Sequence, residues 1–314
     1  MSQHFLAEWQ GHCPICGKET TFRAENDWFR DHLLCTSCEG GSIPRERATM
    51  HVLEREYPLW RQARIHESSP LFRGISLLLL RECPGYLPTY FFPGVMLGTT
   101  HNKFRCEDIE NQTFADESFD IVISQDVMEH IFEPERAYRE IWRTLRPGGL
   151  YIHTTPMNKD MVTSKRCAER LSDGSIHHLT EPSYHGNPID EAGSLVTFLW
   201  GYDLPDLITK WAPFDVEVRR FNYASKGIVA EYSEVLVCKK PGKIQNEVTE
   251  LTVALQSQVA ELQQQIIDVQ SQLAVSRAQV SSKDQLIDQI HASTSWRVTA
   301  PLRAIKTGLA RRRG

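Results

Sequence analysis

The chain of 314 residues lacks any run of about 18 consecutive apolar residues, the length that a helix needs to cross a bilayer. Its first ten residues lack the charged and apolar stretches of a secretory signal peptide. At a net charge of −5, the chain also lacks the basic excess that binding to a phosphate backbone requires. These absences predict a cytoplasmic protein without a nucleic-acid partner.

The chain also lacks the cysteine pattern of a disulfide framework. Four of its eight cysteines lie in two CxxC pairs, and the other four are scattered. This pattern favours metal binding in a reducing compartment. Eighteen residues separate Cys13 and Cys16 from Cys35 and Cys38, so two turns can present four thiolates to one ion. The sequence predicts a structural zinc ribbon over residues 1–44. A redox pair and a nucleic-acid ribbon are less favoured alternatives.

Residues 114–156 predict a strand, a helix and a second strand. The stretch 119–124 is apolar and β-rich, Pro134 suits the first position of a helix, and Pro147 with two glycines ends that helix. In such a unit, ligands bind at the carboxyl ends of the strands. This places Gln125 and Asp126 near a site.

The strings FDIVISQDVMEHI and LRPGGLYIHTTP resemble class I S-adenosylmethionine-dependent methyltransferases, particularly the type 11 methyltransferase domain. The resemblance implies a Rossmann-like, seven-stranded α/β fold over residues 63–242, with S-adenosylmethionine as cofactor. A linker helix is expected over 45–62. Further helices are expected at 71–81 and 194–211, a third strand at 103–109, and a closing strand pair at 216–221 and 234–239.

The resemblance is incomplete where the cofactor would bind. Glu67 stands at the family's acidic position after the first strand, but Ser68, Ser69 and Pro70 replace the usual glycines. The acidic residue that holds the ribose after the second strand is missing, and Thr89 or Tyr90 is its candidate substitute. The resemblance therefore implies cofactor contacts from Glu67, Ser68, Ser69, Thr89, Asp108, Gln125 and Asp126, with Asp108 on the adenine.

These departures leave a second hypothesis, in which a degenerate methyltransferase fold binds no cofactor and serves as a scaffold in a membrane-associated assembly complex. A third hypothesis, an RNA methyltransferase aided by the ribbon, is disfavoured by the acidic body of the chain.

The acceptor side is predicted in the long connection 157–192, which is rich in His, Pro, Gly and Ser. An O-linked acceptor must lose a proton during methyl transfer, and histidine suits that task. His185 is the leading candidate base, followed by His178 and His130, and Tyr184 beside His185 is a further candidate catalytic residue. Two histidines with Glu129 could instead bind a divalent metal, although no familiar spacing supports this.

From residue 244 the composition shifts to Gln, Val, Leu, Ser and Ala, and no Pro or Gly occurs before Pro301. Apolar residues recur at alternating steps of three and four, with one extra step of four near Leu255. This predicts a coiled coil over 243–291 that forms a homo-oligomer.

The tail 292–314 carries only basic charges, and its apolar residues predict an amphipathic segment on an anionic membrane surface. A disordered basic tail is the alternative. Its string SWRVTAPLR resembles the ends of bacterial glycosyltransferases and other surface-polysaccharide assembly proteins. Together these features predict an enzyme, peripheral on the inner membrane and near a glycosyltransferase partner, that methylates a sugar or glycan.

Overall fold

The protein, described here as a computed structural model, is defined for residues 5–187 and 189–299. The chain divides into two compact units, one ending at Gln245 and the other beginning at Asn246. The first unit opens with a small antiparallel sheet whose middle strand is the second in sequence. Its elements are β1 (Ala7–His12), β2 (Glu19–Ala24), α1 (Phe29–His32) and β3 (Leu34–Cys35), and helix α2 (Pro44–Glu56) follows them.

Alternating strands and helices make up the next part of the unit. In chain order these are β4 (Ile65–Ser68), α3 (Gly74–Glu82), β5 (Tyr86–Tyr90), β6 (Thr100–His101), β7 (Phe104–Cys106), β8 (Phe119–Gln125), α4 (Pro134–Thr144) and β9 (Leu145–Thr154).

Short strands then form an insertion before the sheet resumes. The insertion contains β10 (Lys165–Arg166), β11 (Ala168–Arg170), β12 (Ile176–His178), β13 (Tyr184–Asn187), β14 (Asp190–Leu195) and β15 (Phe198–Leu199). The unit closes with α5 (Leu204–Trp211), β16 (Asp215–Arg219) and β17 (Val235–Lys239).

The main sheet contains eight strands in the order β16, β17, β9, β8, β4, β5, β7, β6. Its five inner strands from β9 to β7 are parallel, whereas β17 is antiparallel to both neighbours and β6 is antiparallel to β7. Because the chain runs outward from β4 in both directions, the carboxyl ends of β4 and β8 border a crevice where ligands bind. The predicted α/β Rossmann-like fold is confirmed, with β6 as an added edge strand.

Alternate residues of β8 face two different hydrophobic cores, as expected for a strand buried on both sides. Ile121 and Ile123 pack in one core with α2 and α3, while Val122 packs in the other with α4 and α5. The first core also contains Phe22 of the small sheet and Cys13, which directly follows β1. The N-terminal sheet, α2 and the main sheet are therefore continuous in one core.

The predicted helix over 194–211 is wrong in its first half. Residues 194–199 contribute to β14 and β15, and the helix begins only at Leu204. Thr197 explains the difference, because its main-chain N–H donates to Glu129 O at 2.8 Å and its hydroxyl donates to Ile131 O at 2.7 Å. These bonds tie the segment to the loop after β8, and the sequence pattern alone did not indicate them.

The predicted third strand is shorter than expected, at Phe104–Cys106 instead of 103–109. Asn102 and Lys103 have φ values of 47° and 70°, the left-handed conformation of a tight turn between β6 and β7. The strand therefore begins only after Lys103. The predicted closing pair matches β16 and β17.

The second unit contains most of helix α6 (Lys243–Ala292), which is followed by α7 (Thr294–Val298). The predicted long helix is thus present, and the side chains of Leu262, Ile266 and Leu273 are each about half exposed. Self-association stays a prediction. Within the two described ranges, no helix is both long and apolar enough to cross a membrane. Residues 300–314 of the predicted tail lie outside the described residues.

Candidate functional site

A cavity of about 890 Å³, here called the cleft, lies at the carboxyl ends of β4 and β8. Three regions of the first unit line it: the loops of the main sheet, the insertion after β9, and the N-terminal region. Among the lining residues are Ser68, Ser69, Asp108, Gln125, Asp126 and His185, together with Trp28, Arg30 and Arg45 from the N-terminal region.

The turn after β4 has the backbone geometry of a glycine turn although it carries serines. Ser69 has a φ of 56°, and its main-chain N–H donates to Thr89 O at 2.8 Å. A left-handed residue other than glycine is uncommon and strained. The chain therefore keeps the tight turn expected at this position, with Ser68 and Ser69 both facing the cleft.

Glu67 and Thr89 are not among the residues that line the cleft. The Glu67 carboxylate is fully buried, and it accepts hydrogen bonds from Ser76 Oγ at 2.9 Å and Tyr86 Oη at 2.5 Å. Burial raises the pKa of Glu67 to about 7. Thr89 is likewise buried, with its hydroxyl 2.9 Å from His66 Nε2. Both predicted cofactor residues face the protein interior, so any role at the cofactor is indirect.

Asp126 lines the cleft, and two arginines of the N-terminal region form ion pairs with its carboxylate. Its carboxylate lies 2.5 Å from Arg30 Nη2 and 3.2 Å from Arg45 Nε, and it accepts a bond from Thr154 Oγ1 at 2.9 Å. Burial alone would raise the pKa of Asp126, but Arg45 and Arg30 outweigh it and hold that pKa below its ordinary value. Sequence reasoning missed both arginines, since 96 residues separate Arg30 from Asp126.

On the acceptor side, His185 meets Glu129 and His130 at the wall of the cleft. Glu129 Oε1 lies 3.8 Å from His185 Nδ1 and 3.9 Å from His130 Nε2. Burial raises the pKa of Glu129 to about 8, with the charge of Asp126 adding to it. Burial also lowers the pKa of His130 to about 4 and lowers that of His185.

The structure does not bring the other two predicted catalytic residues to the cleft. His178 lies on β12 with an exposed side chain, paired with Ala168 of β11. Tyr184 is 56% exposed on β13, one residue before His185, so the alternation of a strand turns it to the opposite side. His185 alone of the three lines the cleft.

The four cysteines of the two CxxC pairs converge in the N-terminal sheet. Their sulfur atoms lie within 4.8 Å of one another, at 3.6 Å for Cys13 with Cys38 and 3.9 Å for Cys16 with Cys35. A tetrahedral zinc site with bonds of about 2.3 Å places sulfurs about 3.8 Å apart. The donor set and its spacing fit a structural zinc ion, which these four thiolates would hold.

The cleft also fits the cofactor that the resemblance implies. Gln125 Oε1 is buried at its wall and has no hydrogen-bond partner. The side chains of Ser68 and Ser69 border the same space, and Asp108 lines it with one oxygen accepting the Glu110 N–H at 2.9 Å. An orphaned acceptor, two hydroxyls and a carboxylate can bind an ammonium group and an adenine amino group. Tyr90 at the end of β5 and Phe91 directly after it line the cleft where the resemblance implies an acidic ribose contact.

Residues 95–153 match a protein family described as Methyltransferase domain. The matched segment runs from the loop after β5 to the end of β9 and contains Asp108, Gln125 and Asp126. No curated protein matches the chain. The match and the strand order confirm the predicted enzyme class, an S-adenosylmethionine-dependent methyltransferase.

Solved structures similar to the chain include an S-adenosylmethionine-dependent methyltransferase from Mesorhizobium loti. It is 14% identical, with 61% of this chain and 97% of that one covered and a TM-score of 0.40. Another is the 1,6-didemethyltoxoflavin-N1-methyltransferase of Burkholderia thailandensis, bound to 1,6-didemethyltoxoflavin and S-adenosylhomocysteine. It is 13% identical over 63% of this chain and 78% of that one, with a TM-score of 0.40.

Proposed function

We propose that the protein transfers the methyl group of S-adenosylmethionine to a hydroxyl group of a sugar or glycan intermediate in bacterial surface-polysaccharide synthesis. The observation that carries the proposal is that the main sheet and the insertion line the same cleft. Ser68, Ser69 and Gln125 line it from the ends of β4 and β8, and His185 lines it from β13. One cavity can therefore hold a donor and an acceptor together, and methyl transfer depends chiefly on such positioning.

The cofactor would bind with its amino-acid end at Ser68, Ser69 and the free Gln125 oxygen, and with its adenine at Asp108. When bound, it supplies an activated methyl group on a positively charged sulfur. Gln125 ends β8 and its side chain is nearly buried, so it approaches the cofactor in a fixed position. His185 borders the space that remains for the acceptor.

An uncharged acceptor is favoured by the pairing of two arginines that line the cleft. Arg30 and Arg45 contact Asp126, and Arg45 also contacts Asp31. Paired arginines offer little attraction to a phosphate backbone. The rings of Trp28 and Tyr232 both line the cleft with centroids 6.2 Å apart, and such rings offer apolar faces to a sugar ring.

Calorimetry with S-adenosylmethionine on the full chain tests the cofactor part of the proposal. We expect Asp108→Asn to bind about tenfold more weakly, since a hydrogen bond to a charged acceptor is lost. Asp173→Asn, on an exposed turn, is the matched control and should bind as the wild type does. If the wild-type protein produces no binding heat, the scaffold hypothesis replaces the enzyme.

The acceptor is tested by incubating the full chain with methyl-labelled S-adenosylmethionine and bacterial membrane extracts. Label is expected in the glycan fraction and should resist nuclease. Label that nuclease releases from the RNA fraction would contradict the sugar acceptor. Membrane association is tested separately, because deletion of 292–314 should reduce sedimentation with anionic vesicles, and unchanged sedimentation would refute the tail's role.

A further inference from the structure

Glu129, His130 and His185 form a cluster of three side chains that offer a metal ion one ligand atom each, and these atoms lie within 4.8 Å of one another. The cluster is separate from the four cysteines and lies at the wall of the cleft. Glu129 and His130 come from the loop after β8, and His185 comes from β13, so the insertion completes the group.

Hydrogen bonds fix which atoms face the centre of the cluster. His130 Nδ1 lies 2.9 Å from Leu195 O, and because a carbonyl only accepts, Nδ1 carries the proton. His130 Nε2 is then unprotonated, so its lone pair is available, and this atom lies 3.9 Å from Glu129 Oε1. On the other side, Thr155 Oγ1 donates to Glu129 Oε2 at 2.9 Å. Such outer contacts typically orient metal ligands.

The Glu129 oxygen that faces the histidines has no partner. Glu129 is 2% exposed, yet its Oε1 makes no hydrogen bond. Its distances of 3.8 Å and 3.9 Å to the histidine nitrogens exceed hydrogen-bond length. A buried unpaired carboxylate oxygen is costly, and two of the atoms around the gap are acceptors. The gap therefore suits a cation.

We propose that Glu129, His130 and His185 bind a divalent transition-metal ion, with zinc, cobalt and iron as the fitting class. Two imidazoles and one carboxylate form a known ligand set for these ions, and they leave coordination positions open. Bonds of about 2.1 Å in tetrahedral geometry place ligand atoms about 3.4 Å apart. Glu129 Oε1 lies 3.8 Å from His185 Nδ1 and 3.9 Å from His130 Nε2, so each histidine must approach it by about half an ångström to reach this spacing.

Glu129, His130 and His185 all line the cleft, so an acceptor hydroxyl in the cleft could reach an ion bound to them. This use of the site rests on the proposed function. A metal ion bound there would lower the pKa of the hydroxyl, so that the O–H proton would pass to solvent while the O–C bond forms and the methyl–sulfur bond breaks. The sulfonium then becomes a neutral thioether, and the charges balance. His185 would meet the acceptor through the ion.

Titration of the full-length, zinc-loaded protein with Co²⁺ tests the site without cofactor or acceptor. We expect one further equivalent of cobalt to bind, with visible absorption but without the thiolate charge-transfer band that cobalt gives at cysteines. Glu129→Gln and His185→Ala should abolish this signal. His177→Ala, an exposed histidine on β12, is the matched control and should retain it.

A second variant separates binding from folding. Thr155→Val removes the hydroxyl that holds Glu129, and it should weaken cobalt binding by about 10-fold to 100-fold while the thermal unfolding temperature stays near the wild-type value. If wild-type protein binds no cobalt beyond the cysteine site, or if Glu129→Gln binds it unchanged, the cluster holds a proton and the proposal is overturned. Calorimetry with S-adenosylmethionine decides the proposed function independently.

Discussion

The two halves of the main sheet differ in how they preserve a methyltransferase. The matched family covers residues 95–153, which include β8 and β9, but it does not reach β4 or the turn after it. Even so, β4 pairs in parallel with β8, with Ile65 opposite Ile121 and Ser68 opposite Ser124. The first half thus has the parallel pairing of the sheet although it lies outside the matched segment.

The largest expected effect is a loss of stability when the predicted zinc site of the N-terminal sheet is removed. Replacing Cys38 by serine removes one of the four thiolates, and we expect loss of zinc and unfolding of the small sheet, because such ribbons depend on their metal. Since Phe22 and Cys13 belong to the core under α2, the unfolding temperature of the whole first unit should fall. Zinc content and calorimetry measure this; Cys167→Ser is the control, and an unchanged unfolding temperature would refute the coupling.

The next effect concerns the second half directly. Asp126→Ala leaves Arg30, which is 5% exposed, without its carboxylate, whereas the buried Arg45 keeps only its contact with Asp31. Breaking a buried ion pair on one side typically costs about 3–5 kcal/mol. Urea denaturation should show this loss of unfolding free energy. Asp173→Ala on the exposed turn should lower the unfolding free energy far less. Equal losses in the two variants would contradict a stabilising role for the ion pair of Asp126 with Arg30.

A smaller effect tests the first half through pH. The folded-state pKa of Glu67 is about 7 against an ordinary 4.5, so its neutral form is the one the fold stabilises. That stability is fully present below pH 4.5 and is lost as pH rises from about 4.5 to 7. Glu67→Gln should flatten this part of the stability curve, measured by denaturation at several pH values. An unchanged slope would show that Glu67 is already ionised.

The smallest expected effect comes from placing a glycine in the turn after β4. Ser69 has a φ of 56°, so Ser69→Gly should relieve strain and stabilise the protein by about 1 kcal/mol. Ser68→Gly lacks this benefit and should not stabilise, which makes it a matched control. If both variants lower stability equally, the strain argument fails. Calorimetry on Ser69→Gly would also show whether glycine improves cofactor binding.

Much of the fold could be predicted because it depends on local pattern. The buried strand β8, helix α4 after Pro134 and the closing pair β16 and β17 follow from apolar periodicity and helix signals. The prediction of a helix over 194–211 was wrong in its first half because Thr197 donates hydrogen bonds to Glu129 and Ile131, which are distant in sequence. Long-range hydrogen bonds of this kind leave no local signal.

The cleft could be predicted only in part. Gln125, Asp126 and Asp108 end or follow strands, so the rule that ligands bind at the carboxyl ends of parallel strands locates them. Whether each of the other predicted side chains faces the cleft, the interior or the solvent depends on burial, which the sequence does not specify. Glu67 turned inward to Tyr86, whereas His178 and Tyr184 turned outward.

The sequence by itself determined the α/β class and the four-cysteine cluster, because residue spacing along the chain encodes both. It also determined the extent of the long helix. The tertiary structure alone decided that Arg30 and Arg45 neutralise Asp126 and that His185 meets Glu129 and His130. These contacts join segments tens of residues apart, and only packing of the whole unit removes the water that would otherwise separate and screen their charges.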